Sequence, residues 1–175
     1  NGKRRILHTK DTTGLEISTK LLRCVQKHPN ITLLDHRIAI DLITTAKLGC
    51  VTEDRVLGAY VLDPATGEVE IFRSDRIMLA TGGTGRVYMY TTNPAPATGD
   101  GVAMAWRAGA NVSNLEFVQF HPTTFYNPKS SDRDGLTFLI SEAVRGEGGV
   151  LRGPDGQEFM QKYDTRKSLA PRDIV

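Results

Sequence analysis

Two rhythms of apolar and polar positions run along this chain. After the capping-type residues Asp11 to Gly14, Leu15, Leu21, Leu22 and Val25 recur at helical spacing until His28-Pro29-Asn30 breaks the pattern. That spacing predicts an amphipathic helix over 14–27. The rhythm then shortens to β-rich runs at 31–34, 37–45, 55–63, 68–72 and 76–81. Asp63-Pro64-Ala65-Thr66-Gly67 between two of them reads as a hairpin loop, so a β-meander is expected there. The run at 76–81 reads as a buried strand that passes directly into Gly82, Gly83 and Gly85. Small residues at the carboxyl end of such a strand let a ligand approach the backbone, and a plain glycine turn after a core strand is the competing reading.

Helical spacing returns after Thr98-Gly99-Asp100-Gly101, which caps a helix to about Ala108, with Gly109 at the C′ position. Its amide-rich start suits an anionic or polar ligand group, though a well-capped core helix would look the same. From about Leu115 the texture changes to an aromatic cluster and a polar loop, Asn127 to Gly135, and a second lobe is expected from there. The fold class expected is α/β with α+β character.

At 175 residues the chain can bury one sizeable core. Its 22 basic and 20 acidic residues are interspersed, giving a formal charge of +2. Nothing in that distribution marks a nucleic-acid or membrane-surface patch. Cys24 and Cys50 form neither a disulfide framework nor a metal-ligand pattern, which suits a reducing cytosol. No stretch approaches the roughly 20 apolar residues of a membrane span. The first residues lack the apolar core of a signal peptide. Both ends look cut, so a piece of a longer polypeptide is expected.

Three local constellations offer chemistry. His121 lies just before Pro122, which holds its backbone extended. It suits carboxylate binding or proton transfer, or a satisfied core position. Ser141, Glu142 and Arg145 share one helical turn, with the last two at i,i+3 and with Gly146, Gly148 and Gly149 behind them. That is either a polar edge facing a ligand or a surface ion pair with a glycine cap. Arg172, in Leu169-Ala170-Pro171-Arg172-Asp173, is a natural anion anchor or a partner of Asp173. A guanidinium is a poor base, and moving a proton through it needs neighbouring cations and a relay acid.

Taken in order and spacing, the segments ATGG, TTNP…TGDGVAMAWRAGA, EFVQFHPT, SEAVRGEGG, the Gly156…Phe159-Met160 pattern and LAPRDIV resemble the fumarate reductase/succinate dehydrogenase/L-aspartate oxidase flavoprotein family over nearly the whole chain. RRILHTKDTTGLEI, and Pro171 in place of the serine of the LASRD form, resemble its aspartate-oxidising branch. The resemblance implies non-covalent FAD, L-aspartate as substrate, oxygen or fumarate as electron acceptor and a cytoplasmic role at the start of NAD synthesis, with quinolinate synthase as a pathway partner. It implies no metal.

By the same resemblance Gly82, Gly83, Asn93, Gly99, Asp100 and Gly101 lie near the cofactor. Glu16 faces the substrate ammonium, while His121, Ser141 and Glu142 form the substrate edge of a capping domain. Ser141 stands where threonine is common. Arg172 moves the substrate's proton. Residues 1–114 correspond to the central part of an FAD-binding domain and 115–175 to the start of the capping domain. The G-x-G-x-x-G segment that holds the FAD pyrophosphate is absent from this sequence. The polar loop, Asn127 to Gly135, looks longer than in that family, and the resemblance gives it no role.

Overall fold

The computed structural model describes residues 13–50, 53–127 and 136–175. The chain divides into two compact units, Asn1–Ile40 with Tyr60–Phe72, and Asp41–Ala59 with Arg73–Val175. The mixed α/β class expected from the sequence is observed. Strands β1 (Ile38–Thr44), β2 (Val56–Leu62) and β3 (Val69–Arg73) form one sheet in that order, the expected meander.

The first unit holds α1 (Thr13–Lys27) and the β2–β3 turn. The helix forms where its periodicity places it, yet none of its residues is buried, and Leu15 is 68% exposed. At the turn, Gly67 takes a φ of 75° and donates its N–H to the Asp63 carbonyl (2.8 Å), while the Asp63 N–H bonds the Glu68 carbonyl (2.9 Å). The Asp63 side chain accepts the Ala65 N–H (2.9 Å) and pairs with Arg37 (2.9 Å). An Asx-type turn closed by a left-handed glycine is what the Asp-Pro-Ala-Thr-Gly chemistry demands.

In the second unit, Leu42, Ile43 and Ala59 are buried, as are Met104 of α2 (Asp100–Arg107) and Met160. Asp41 ties β1 to α2 by accepting Lys47 Nζ (2.8 Å) and Arg107 Nε (3.3 Å). The strands β4 (Thr124–Phe125) and β5 (Phe138–Leu139) pair antiparallel, with Thr124 opposite Leu139. The helix α3 (Ala143–Gly146) follows, then 3₁₀ turns at Met160–Lys162 and Lys167–Leu169.

Both α2 and α3 end in the same device. Gly109 and Gly148 are left-handed (φ 84° and 98°). The N–H groups of Ala110 and Gly149 reach back to the carbonyls of Ala105 (3.0 Å) and Val144 (2.8 Å). This Schellman geometry satisfies the last carbonyls of each helix.

Two expected strands are absent. Residues 31–34 and 76–81 have no ladder partner among the described residues, and Met78, read as part of a buried strand, is 91% exposed. Apolar β-branched composition licenses a strand but cannot supply its neighbour. The loop at 128–135 and the RRILH segment lie outside the described residues.

Candidate functional site

The site grows from four segments of the second unit. The β4 and β5 strands bring His121, just before β4, and Ser141, just after β5, to the same end of a two-stranded ladder. The Thr123 hydroxyl secures that end by donating to the Ile140 carbonyl (2.9 Å). Asn93 is set by Thr91, whose buried hydroxyl accepts both the Asn93 N–H (3.1 Å) and its side-chain amide (3.3 Å). Arg172 follows the last 3₁₀ turn.

These residues meet. A cavity of about 520 Å³ is lined by Asn93, Gln119, His121, Ser141, Glu142 and Arg172, with Thr92 and Leu139. The Arg172 Nε donates to Glu142 Oε1 (2.9 Å) and its Nη1 to Gln119 Oε1 (3.0 Å). A second cavity of about 450 Å³ shares Gln119, Glu142 and Arg172 and adds Arg145, Pro171 and Asp173. The bonded row Gln119–Arg172–Glu142 is thus common to two hollows. Asp173, offered by the sequence as an alternative partner for Arg172, is not its partner among the described residues; Glu142, 30 residues away in sequence, takes that place.

The electrostatics follow from that row. The hydrogen bond from Arg172 holds the Glu142 carboxyl below its ordinary range; partial burial opposes this, and the charges of Arg172, Arg145 and His121 add to it. The same bond pushes the Arg172 guanidinium above its ordinary value. The pair is therefore a carboxylate and a guanidinium with the proton firmly on the arginine.

His121 spends Nδ1 on the backbone of Thr123, 3.0 Å from its carbonyl oxygen and 3.3 Å from its nitrogen. Its Nε2 is the nitrogen left for a ligand. Ser141 Oγ accepts the Ala143 N–H (3.2 Å), so its hydroxyl hydrogen stays available to donate to a carboxylate.

Arg145 corrects the surface-pair reading. It does pair with Glu142 at i,i+3 (3.1 Å), but it is buried, only 8% exposed, and its Nη1 donates to the carbonyls of Ser168 (3.0 Å) and Ala170 (3.1 Å). Ser141 stands just before α3, and Glu142 is its N-cap. Glu16 belongs to the first unit, on α1, where it pairs with Lys20 (2.8 Å).

All 175 residues match the family model described as FAD binding domain. The chain belongs to that family. It is 56% identical to L-aspartate oxidase 1 of Ralstonia nicotianae and 54% identical to L-aspartate oxidase of Pseudomonas aeruginosa, each over 98% of this chain and 31% of the relative. Among solved structures it is similar to a variant of E. coli quinol fumarate reductase (31% identity, TM-score 0.77, 93% of this chain and 27% of that one). It is also similar to a quinol-fumarate reductase with menaquinol molecules (30%, TM-score 0.80, 96% and 29%). The chain thus spans about a third of the length of these relatives.

For an FAD-binding domain the cofactor must find donors, a hydroxyl acceptor and an open flat surface. The first turn of α2 carries backbone N–H groups with no intrahelical acceptor, and its N-cap Gly99 (φ 86°) makes no side-chain cap. Asp100 beside it holds a carboxylate, bonded by the Thr98 hydroxyl (2.8 Å), that suits a cofactor hydroxyl and not a phosphate. A Cβ added at Gly82 or Gly83 would meet nothing within 4 Å, which leaves room for a ring. Gly101 has no such room, because its Cβ position is held by the Thr81 side chain; there the glycine serves close packing of α2 on the 81–85 loop. Asn93 occupies the Cβ position of Gly85 and also lines the cavity, so it links that loop to the site. These residues fit the hydroxyl-bearing and ring portions of FAD.

Gln119 and the burial of Arg145 escape sequence reasoning. Gln119 sits inside a quoted motif, but an amide bonded to an arginine 53 positions later has no local signature. The partners of Arg145 are backbone carbonyls, which every residue has.

Proposed function

We propose that the full polypeptide containing this chain is a cytoplasmic FAD-dependent L-aspartate oxidase. It oxidises L-aspartate to iminoaspartate, with oxygen or fumarate as the final electron acceptor. The observation that carries the reading is the meeting of Arg172, Glu142, His121 and Ser141 around one cavity. A dicarboxylate needs carboxylate partners and a proton-handling group within one small molecule's length. The 50–56% identity to bacterial proteins named L-aspartate oxidase supports this substrate over succinate.

FAD, when bound, supplies the hydride acceptor. The remaining task falls to this chain. His121 Nε2 and the Ser141 hydroxyl hold a substrate carboxylate, and Glu16 favours the substrate ammonium. As the hydride leaves Cα, one proton must leave the ammonium nitrogen so that its lone pair can form the C=N bond of the iminium, which gives up a second proton to water as iminoaspartate is released. Arg172 receives the first proton after passing its own Nε proton along the 2.9 Å bond to Glu142 Oε1. In the geometry described this is uphill, since the pair holds its charges. Partial burial already acts the other way on both groups, raising the carboxyl and lowering the guanidinium. Closure of a capping domain that begins near residue 115 expels water and strengthens those opposing effects, bringing the pair nearer to transfer.

Iminoaspartate then passes to quinolinate synthase toward NAD. A second reading, a soluble fumarate reductase or succinate dehydrogenase flavoprotein, is favoured by the TM-score of 0.80 to a quinol-fumarate reductase. Assaying the full-length protein with each substrate decides between them: turnover of L-aspartate is expected, and oxidation of succinate without aspartate sinks the first reading. The isolated chain is expected to be inactive and to bind FAD weakly or not at all, having no pyrophosphate loop; a stoichiometric yellow chromophore in the purified chain overturns that.

A further inference from the structure

Thr91 is a buried polar residue that none of the proposed steps uses. Its carbonyl accepts the Thr137 N–H (2.8 Å), and a parallel bridge to Leu136 ties the same backbone to the residues that lead into β5. Its hydroxyl oxygen accepts both the Asn93 N–H (3.1 Å) and the Asn93 side-chain amide (3.3 Å). That amide fills the Cβ position of Gly85, and the Thr91 hydroxyl oxygen lies 3.1 Å from the same point. One residue earlier, the Thr84 methyl fills the Cβ position of Gly99, the N-cap of α2. The end of the 81–85 loop is therefore gripped at two consecutive residues, and the Thr91 hydroxyl sets one of the two grips.

We propose that Thr91 is a positioning residue for the cofactor side of the site: it aims the Asn93 amide at Gly85 and so fixes the loop that carries Gly82 and Gly83 relative to the β4–β5 ladder. The proposal rests on the reading of that loop and of Asn93 as neighbours of FAD. If filling space were enough, a valine of the same shape would do so without burying a hydroxyl. A hydroxyl oxygen has two lone pairs, and here both are spent on one residue. With its main-chain and side-chain N–H groups both held, Asn93 cannot turn without breaking a bond. The amide nitrogen is thereby committed to the protein, which leaves the Asn93 carbonyl oxygen to a ligand. Asn93 borders both the cavity of about 520 Å³ and a neighbouring hollow of about 200 Å³ edged by Tyr88, Tyr90 and Phe120, so its orientation is felt on both sides.

The test titrates FAD into the full-length apoprotein, followed by flavin fluorescence. Thr91→Val is expected to weaken FAD roughly 5- to 150-fold, the effect of leaving a buried donor unpaired, and to shift the absorption band of the bound flavin. Thr91→Ser keeps the acceptor oxygen and should stay within about twofold of the wild type. Asn93→Ala should match Thr91→Val, and the double variant should be no weaker than either single one, because Thr91 acts through Asn93. Succinate binding to FAD-saturated Thr91→Val should stay within about twofold, since His121 and Ser141 are untouched. Normal FAD affinity in Thr91→Val beside a loss in Asn93→Ala, or losses that add in the double variant, overturns the positioning role and leaves Asn93 on the cofactor side. Normal affinity in Asn93→Ala removes Asn93 from that side and with it the reading beneath the proposal. Parallel loss of succinate in Thr91→Val, or failure to recover that variant folded, makes Thr91 a residue of the general fold, and the proposal fails.

Discussion

Arg172 and Arg145 converge on a single oxygen, Glu142 Oε1, from 2.9 Å and 3.1 Å. One arginine stands on the cavity wall and the other is buried behind it. A carboxylate oxygen with two charged donors is fixed in direction, and the donor on the cavity side is fixed with it.

Arg172→Lys in the full-length protein tests that geometry directly. The guanidinium holds Glu142 through Nε and Gln119 through Nη1, about 3 Å from each. An ammonium keeps the charge but not the two fixed directions. Turnover is expected to fall by about 100-fold or more, with the flavin absorbance of the purified protein unchanged. Near-normal turnover takes the proton role away from Arg172.

The pH behaviour of Glu142 has a definite sign. Its carboxyl titrates below the ordinary 4.5, so the tether to Arg172 is fully formed above that value and is lost only as the pH falls through the lower folded value. Wild-type turnover should therefore show no acid loss attributable to Glu142 above 4.5. Glu142→Gln should be slow across the whole neutral range, because the relay oxygen no longer accepts a proton. A profile for Glu142→Gln that matches the wild type in height would remove Glu142 from the relay.

Much of this arrangement is visible in the sequence, and the part that is not has a common cause. Helix 14–27, the hairpin at 63–67 and the glycine stops of α2 and α3 depend on neighbours within five residues, so periodicity and turn chemistry reach them. Residues 31–34 and 76–81 were apolar enough for strands, but a strand is a relation between segments and the described residues offer no partner. His121, Ser141, Glu142 and Arg172 were each ambiguous alone and gained roles only through family resemblance; the cavity that unites them comes from β4 pairing with β5. Burial of Arg145 could not be read at all, because its acceptors are main-chain carbonyls 23 and 25 residues away.

Gly101→Ala probes the cofactor side. The added methyl would land on the Thr81 side chain and push the start of α2 off the loop that carries Gly82 and Gly83. Overpacking of this kind costs about 1–3 kcal/mol, which as lost affinity is roughly 5- to 150-fold. Titration of FAD into the full-length apoprotein, followed by flavin fluorescence, reads the effect. Gly109→Ala is the control: its φ of 84° makes a side chain strained, but open space surrounds it, so stability should drop by about 1–2 kcal/mol with FAD affinity intact. Equal loss of affinity in both would point to general destabilisation.

Glu16→Gln separates recognition of the amino group from recognition of the carboxylates. On α1, Glu16 has Lys20 as its partner at i,i+4, a pair that is solvent-exposed and weakened by salt. On the proposed reading, a substrate ammonium brought to Glu16 would compete with that lysine for the same carboxylate. Loss of the charge should weaken L-aspartate by roughly 10- to 100-fold, the worth of a hydrogen bond to a charged group, and leave binding of succinate unchanged, since succinate brings no ammonium. Lys20→Met should shift L-aspartate the other way by freeing Glu16. Binding to the oxidised full-length protein, followed by the flavin spectrum, measures both ligands without turnover. A parallel loss of succinate would assign Glu16 to the shape of the site and not to its preference for an amino acid.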